Sequence, residues 1–252
     1  MVITDSLYNV PIDGHASGLG RVHHREFAMA SGEMSTGEFT EFLRKAMTLS
    51  KQSSQPGSLA YYFMDFRHMR QILAAGTDVY GDLMNLCVWA KNNAGMGSFY
   101  RSGHELIFLF KNGGASHRNN IQLGKFGRYR TNVWNYPSAN SFSRSGPEGD
   151  LLALHPTPKP VALIADAIKD STSRGALVLD PFLGSGTAVI AAERTGRVCY
   201  GLELDPLYVD ALIRRWQRRT RREAIHVESG ESFGAREASK MSQGTSTSET
   251  KG

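Results

Sequence analysis

VLDPFLGSGT, residues 178–187, changes from an apolar strand to a turn with two glycines, and a helix is expected to follow it. Glycines let the backbone approach a ligand with no Cβ in the way, and the free N–H groups at the start of the helix face that ligand. Glu203 closes the next apolar run, about twenty residues on, where a carboxylate can accept hydrogen bonds from ribose hydroxyls. The pattern predicts a nucleoside site in a doubly wound α/β sheet.

The details of the turn separate the nucleosides that compete for it. A dinucleotide site needs a third glycine where this chain has Val189. A phosphate-binding loop needs Lys and then Ser or Thr after its last glycine, where this chain has Thr187 and Ala188. A nucleoside without a pyrophosphate remains, and S-adenosylmethionine fits that description. For the glycine turn alone, a strand-to-helix connection that binds no ligand is an equally good interpretation.

Two segments of this chain resemble the amino DNA methyltransferases, a family that modifies exocyclic nitrogens of bases. Residues 180–187 resemble its methyl-donor motif, and His-Pro-Thr-Pro-Lys-Pro at 155–160 resembles the element that closes over the methionine end of the donor. The resemblance implies a Rossmann-like S-adenosylmethionine-dependent methyltransferase fold, a mostly parallel sheet with helices on both faces and an inserted target-recognition region. It assigns cofactor binding to Lys159, Asp180, Pro181, Phe182, Gly184, Ser185, Gly186, Thr187 and Glu203.

The segment Asp5-Ser6-Leu7-Tyr8 occupies the position of the Asp-Pro-Pro-Tyr catalytic tetrad of that family. Because this tetrad precedes the donor motif, the order resembles the beta class, over roughly residues 1–218. The resemblance implies that the Asp5 carboxylate and the main-chain carbonyl of Ser6 accept hydrogen bonds from the target amine, while Tyr8 stacks on the extruded base. Asp at the first position favours adenine N6 over cytosine N4, so we expect methyl transfer to adenine N6 in DNA.

The tetrad departs from the family because Ser6 and Leu7 replace its two prolines. The carbonyl survives this change, but the rigidity of the loop does not, and a carbonyl misplaced by about 1 Å can cost some hundredfold in rate. A relative that binds donor and DNA without turnover is therefore an alternative, as is methylation of RNA or a small amine. Since only four residues precede Asp5, fewer than the family usually carries, we expect the chain to lack an upstream part.

A basic and aromatic stretch predicts the contact with DNA. The chain has a net charge of +5, and between Lys91 and Gly146 it places eight Lys or Arg residues against the single acid Glu105. Cations neutralise phosphates, and rings stack on bases. The target-recognition stretch is therefore placed at about 112–147, with a solvated basic loop as the alternative. DNA contacts are assigned to Arg101, Arg118, Lys125, Arg128 and Arg130.

The chain is expected to form one methyltransferase domain over residues 1–222 and a disordered tail over 223–252, which is poor in apolar residues. Cys87 and Cys199 lie in strand-like runs and are expected to be buried thiols. No metal-ligand spacing, signal peptide or membrane-spanning run is found, so we expect a cytoplasmic protein without a metal. The expected partner is double-stranded DNA, and a homodimer is left open.

Three polar patterns predict helix starts or strand ends. Ser35 and Glu38 form a capping box, and Asp205 with Pro206 forms a cap and first-turn pair. Asp65 is predicted to cap a helix rather than contact the donor. For His104 and Glu105, which resemble a family element near the target base, a strand-end role that fixes the preceding turn is preferred for His104.

Overall fold

The computed structural model describes residues 1–10, 31–94, 99–138 and 158–246, and a seven-stranded sheet runs through them. The strands are β1 (Val2–Asp5), β2 (Leu59–Met64), β3 (Asn85–Ala90), β4 (His104–Lys111), β5 (Val133–Asn135), β6 (Leu177–Asp180) and β7 (Val198–Gly201). The α-helices are α1 (Thr36–Gln52), α2 (Met69–Tyr80), α3 (Val161–Ser171), α4 (Thr187–Thr195), α5 (Pro206–Thr220) and α6 (Phe233–Ser246), and a short 3-10 helix spans Phe66–His68. None of these helices combines the length and apolar character that crossing a bilayer demands.

The strand order in the sheet is β5-β3-β4-β2-β1-β6-β7. All strands run parallel except β4, which is antiparallel to both β2 and β3. From β1 the chain moves one way to β2, whereas from β6 it moves the other way to β7. The topological switch point therefore lies between β1 and β6, and in open α/β sheets ligands bind outside the carboxyl ends of the strands at this point.

Helices cover both faces of the sheet. One apolar cluster packs α1 and α2 against the sheet through buried residues such as Phe39, Leu43 and Ile72. The other cluster packs α3, α4 and α5 on the opposite face through Leu163, Ile190 and Leu212. The predicted Rossmann-like arrangement, mostly parallel with helices on both faces, is confirmed.

Local signals placed several element boundaries correctly. The Ser35 capping box opens α1, with the Glu38 N–H donating to Ser35 Oγ and the Ser35 N–H donating to Glu38 Oε2. Asp65 caps the 3-10 helix by accepting from the His68 N–H at 3.1 Å, as predicted. Asp205 caps α5, and Pro206 is its first residue. The cysteines lie in β3 and β7, with Cys87 buried and Cys199 partly buried.

The sheet has two edges that matter for the site. We call the edge where β1, β2, β6 and β7 end the carboxyl edge, and the opposite one the amino edge. Because β4 is antiparallel, it starts at the carboxyl edge with His104 and reaches the amino edge at Lys111. The chain then stays at the amino edge: the Asn112 N–H donates to Ser58 O at 2.9 Å, and the Asn120 side chain donates to Lys169 O and Thr172 O at the end of α3.

The carboxyl-terminal region differs from the prediction of a disordered tail. The structure places α6 at Phe233–Ser246 and a bridge between Ile225 and Ser232. Arg214 of α5 pairs with Glu237 at 2.6 Å, and its guanidinium lies 5.3 Å from the centre of the Phe233 ring. The prediction relied on the low apolar content of this segment. Charged contacts and helix-forming residues order part of it in place of apolar packing. The prediction is wrong for 233–246, and residues 247–252 lie outside the described residues.

Candidate active site

Two acidic residues from opposite ends of the sequence meet at the switch point. Asp5 is the last residue of β1, and Asp180 is the last residue of the neighbouring strand β6. The Thr4 hydroxyl donates to Asp180 Oδ1 at 2.6 Å, which joins the two strands by their side chains. The tetrad segment and the glycine turn therefore lie at one carboxyl edge, although they are far apart in sequence.

The glycine turn is held by the carboxylate predicted to bind ribose. The Gly184 N–H donates to Glu203 Oε2 at 2.7 Å, and the Asp205 N–H donates to Glu203 Oε1 at 2.9 Å. Gly184 and Gly186 both have positive φ, 49° and 74°. Each oxygen of Glu203 keeps a lone pair for another donor. The same residue can therefore fix the turn and accept hydrogen bonds from a ligand.

Close packing beneath the turn requires glycine at position 186. A Cβ atom there would lie 1.9 Å from Leu212 Cδ1 and 2.9 Å from its Cγ, so the buried Leu212 side chain of α5 would have to move. Arg215, one turn further along α5, is buried and donates to the carbonyl of Ser185 at 2.9 Å. Sequence reasoning missed this contact. The three-residue spacing from Leu212 places Arg215 on the buried face and could have found it.

Around Asp5 the structure assembles five side chains that we call the ionic cluster. The Tyr8 hydroxyl donates to Asp5 Oδ1 at 2.8 Å and lies 3.2 Å from Glu105 Oε2. Lys159 Nζ contacts Asp5 Oδ2 and lies 3.1 Å from Glu105 Oε2. On the far side, Lys91 Nζ lies 2.5 Å from Glu105 Oε1. The cluster consists of two carboxylates, two ammonium groups and one phenol.

Burial and charge act on the pKa values of this cluster in different directions. Burial alone would raise the pKa of Glu105, but Lys159 and Lys91 lower it to about 2. Burial would lower the pKa of Lys159, but Asp5 and Glu105 hold it above its ordinary value. Burial raises the pKa of Asp5 against the attraction of Lys159. Glu105 and Lys159 therefore stay charged, and Asp5 is the carboxylate of the cluster that takes up a proton most easily.

Glu105 and Lys159 both contact the tetrad. The resemblance set the His104–Glu105 element near the target base, and Glu105 reaches Asp5 because β4 is antiparallel and starts at the carboxyl edge. Lys159 was assigned to the cofactor, but its ammonium lies on Asp5. Its carbonyl lies 3.3 Å from the Thr187 hydroxyl, at the glycine turn. Lys159 thus links the cluster to the start of α4.

The two residues that replace the family prolines are both packed inward. Ser6 is buried, and its hydroxyl finds no hydrogen-bond partner among the residues that the structure describes. Leu7 is partly buried against the apolar cluster formed by α1 and α2. A buried hydroxyl without a partner costs about 1–3 kcal/mol. Ser6 is therefore a locally unfavourable residue at the point where the tetrad needs a fixed carbonyl.

Pro181 and Phe182 connect the end of β6 to the glycine turn. The Phe182 N–H donates to Asp180 Oδ1 at 3.2 Å, and its ring lies 5.7 Å from that of Phe42 on α1. The Phe182 ring therefore packs against α1, on the face of the sheet that α1 covers. The remaining residues of the proline-rich element, 155–157, lie outside the described residues.

Four of the five residues assigned to DNA binding lie in one connection, and Arg101 lies in another. Arg101 lies in the connection between β3 and β4 at the carboxyl edge, where its guanidinium donates to Ala94 O at 3.1 Å. The other four lie in the connection from β4 to β5, which begins at the amino edge. Arg130 there pairs with Asp170 at 2.5 Å. Because β4 crosses the sheet, the predicted target-recognition stretch begins at the end of the sheet opposite to Asp5, and its residues 139–147 lie outside the described part.

Asp180 makes a testable contribution to stability. Burial raises its pKa from 3.8 to about 8, against the hydrogen bonds from Thr4 and the Phe182 N–H. A group with a raised pKa contributes stability that is present below its unfolded pKa and is lost as pH rises through its folded pKa. The free energy of unfolding should therefore fall between about pH 4 and pH 8, and fall less in Asp180→Asn. Urea titrations across this range check it, with Asp82→Asn, an exposed carboxyl, as the control. An equal fall in all three proteins would contradict it.

A mostly parallel sheet with a glycine turn and an acidic residue at its switch point defines a Rossmann-like α/β fold. Solved structures agree on the fold. PvuII DNA methyltransferase, described as cytosine-N4-specific, has a TM-score of 0.64 at 18% identity and covers 85% of this chain and 78% of its own. TTHA0409, a putative DNA modification methylase from Thermus thermophilus solved with S-adenosyl-L-methionine, has a TM-score of 0.61 at 20% identity and covers 92% and 87%.

The family follows from sequence. Residues 1–214 match the model of the N6/N4 DNA methylases, and the chain belongs to that family. Type II methyltransferase M2.DpnII of Streptococcus pneumoniae is 26% identical over 217 residues, which cover 83% of this chain and 79% of that protein. Type II methyltransferase M.ScaI of Streptomyces caespitosus is 34% identical over 96 residues, 38% of this chain and 31% of that protein. The chain thus aligns with about a third of the length of M.ScaI.

Proposed function

We propose that this chain transfers a methyl group from S-adenosylmethionine to the exocyclic N6 of adenine in DNA. The observation that carries the proposal is the position of Asp5: its carboxylate ends β1 at the switch point, next to the strand that leads into the glycine turn. A carboxylate there can accept an N–H from an amine whose lone pair must point towards a donor held over β6. The sulfonium methyl group is the electrophile that the bound donor supplies.

The residues of the glycine turn fit S-adenosylmethionine. Gly186 packs directly on Leu212 and so fixes the turn at the start of α4, and Glu203 offers carboxylate lone pairs at the end of the neighbouring strand. Neither a lysine for phosphates nor a third glycine for a dinucleotide is present in this motif. The TTHA0409 structure, solved with this donor, supports the assignment.

Asp5 and its neighbours would orient the amine and take its proton. The lone pair of an exocyclic amine is delocalised into the ring, and acceptors for both N–H bonds favour a tetrahedral nitrogen that can attack. As the new N–C bond forms, the C–S bond breaks with its electron pair left on sulfur, and the nitrogen must lose one proton. Asp5, whose pKa burial raises, is placed to accept that proton. Glu105 and Lys159 would hold Asp5 and Tyr8 in position.

Cytosine N4 is the alternative target, and the likeness to the cytosine-N4-specific PvuII enzyme is the observation that favours it. An impaired relative that keeps donor and DNA binding is the other alternative, favoured by Ser6 and Leu7 in place of proline. Both alternatives use the same donor site, so they differ only in the product that forms.

One assay separates these alternatives. The full chain is incubated with S-adenosylmethionine labelled in its methyl group and with unmethylated genomic DNA, and the DNA is then hydrolysed to nucleosides. Label in N6-methyladenine supports the proposal, and label in N4-methylcytosine supports the alternative target. No label above an Asp5→Ala control, with donor binding retained by calorimetry, would reject both enzyme assignments and leave the impaired relative.

Restoring the family prolines should raise the rate of methyl transfer. In Ser6→Pro with Leu7→Pro, the loop loses conformational freedom, and the buried hydroxyl without a partner is removed. If the Ser6 carbonyl positions the amine, we expect kcat to rise about 10- to 100-fold, since a displacement of about 1 Å costs some hundredfold. Single-turnover rates at saturating donor measure this. An unchanged rate in a variant that folds and binds donor would contradict the role of this carbonyl.

A further inference from the structure

A loop at the amino edge exposes apolar side chains far from the active site. We call residues 117–130 the amino-edge loop. Within it Leu123, Phe126 and Tyr129 are 65%, 83% and 79% exposed. Large apolar side chains that are exposed close together often mark an interaction surface.

The backbone of this loop is ordered by its own hydrogen bonds. Asn119 Oδ1 accepts from the N–H groups of Ile121 and Gln122 at 3.1 and 3.0 Å. The Gly124 N–H donates to Arg128 O at 3.0 Å, and Asn120 ties the loop to the end of α3. The rings are therefore displayed on a fixed support and not on a loose chain.

Phe126 adopts a conformation that bulky residues avoid. Its φ is 55°, in the left-handed region, and it is followed by Gly127 with a φ of 69°. For a bulky residue this region is uncommon, and such strain is usually retained only where the surroundings require the resulting geometry. Here the strained residue also carries a ring that is 83% exposed, and stability alone would favour neither feature.

The charge around the rings is of one sign. Residues 106–138 contain no Asp or Glu. The Arg128 guanidinium lies 5.4 Å from the centre of the Phe126 ring, and Arg118 and Lys125 stand in the same loop. Arg130, at the end of the loop, pairs with Asp170 of α3, which leaves Asp170 already neutralised. Cations interleaved with exposed rings match a polyanion that also carries flat bases.

The amino-edge loop lies about one strand length from the site proposed at Asp5. Glu105 and Lys111 lie at opposite ends of β4, six residues apart, which corresponds to about 20 Å at a rise of about 3.3 Å per residue. Asn120 and Arg130 tie the loop to the end of α3, which lies at the amino edge because it leads into β6. A ligand of this loop therefore occupies a separate surface.

We propose that the amino-edge loop is a second nucleic-acid site, which binds single-stranded DNA. Phe126 and Tyr129 stack on unpaired bases, and Lys125 and Arg128 contact phosphates on either side. Single strands are favoured over duplex because rings exposed on a fixed loop need unstacked bases to stack on. The site does not depend on methyl transfer, so it stands or falls separately from the function proposed above.

The test uses the full chain and a fluorescein-labelled oligothymidylate of about 15 nucleotides, within the length that one such site covers. Thymine has no exocyclic amine, so this probe is not a substrate of the proposed reaction. Fluorescence anisotropy should show binding that weakens at least tenfold in Phe126→Ser with Tyr129→Ser. The matched control is Phe99→Ser with Tyr100→Ser, a pair 86% and 82% exposed between β3 and β4. This control should bind the probe as the unaltered chain does.

Salt dependence gives a second readout. Lys125→Gln with Arg128→Gln removes two phosphate contacts, and the slope of log K against log salt should become shallower by about 1.4, at about 0.7 for each contact with a single strand. Equal loss of probe binding in both ring variants would place the strand at the carboxyl edge and overturn the proposal. Tighter binding of a duplex of the same length, or no binding by the folded chain, would overturn it too.

Discussion

Replacing Asp5 by Asn should lower the rate of methyl transfer by about 100- to 1000-fold, the loss seen when one preorganised polar group of an active site is removed. The substitution keeps the shape of the side chain and an oxygen acceptor, but it removes the negative charge that favours a tetrahedral amine. It also removes the group proposed to take up the proton. Single-turnover rates on unmethylated DNA with saturating donor measure the loss.

Donor binding distinguishes this effect from a general disturbance of the site. Asp5 lies on β1, whereas the residues proposed to hold the donor follow β6, so calorimetry should find the donor affinity of Asp5→Asn nearly unchanged. Glu203→Gln is the complementary variant, because it replaces the carboxylate that faces the glycine turn by a neutral amide. We expect it to raise the apparent Kd for the donor more than it lowers the rate. If Asp5→Asn retained the full rate, Asp5 would not be the acceptor of the amine.

The sequence could predict those parts of the site that depend on local chain geometry. The strand, the glycine turn and the helix at 177–195 require particular residues at neighbouring positions, and the structure shows each of them. The capping box before α1 and the cap before α5 have the same local character. Such features need no knowledge of the topology.

Other parts depend on how the strands are ordered. Glu105 reaches Asp5 because β4 runs against its neighbours, and the basic stretch after Lys111 lies at the amino edge for the same reason. The sequence could therefore not show that the connection after Lys111 begins at the amino edge, and the assignment of about 112–147 to target recognition stays a prediction. Strand direction within a sheet is decided by long-range pairing, which a single sequence does not display.

Lys159 should prove the most important residue of the ionic cluster for stability. It is 5% exposed between Asp5 and Glu105, and removing one partner of a buried ion pair costs about 3–5 kcal/mol because a charge is left without compensation. Lys159→Met preserves most of the side-chain volume and removes only the ammonium. Urea unfolding of Lys159→Met should show this loss. The control is Lys169→Met, which breaks the half-exposed pair with Asp166 and should cost less than about 1 kcal/mol.

A double-mutant cycle shows whether the cost arises from uncompensated charge. In Lys159→Met, Asp5 and Glu105 face only Lys91, whereas adding Glu105→Gln leaves one carboxylate and one ammonium. The double variant should therefore be more stable than the sum of the two single losses predicts. Additive losses would indicate that Lys159 acts by packing alone. In that case, the cluster would be a rigid support for Tyr8, and the electrostatic control of Asp5 would have to come from its burial.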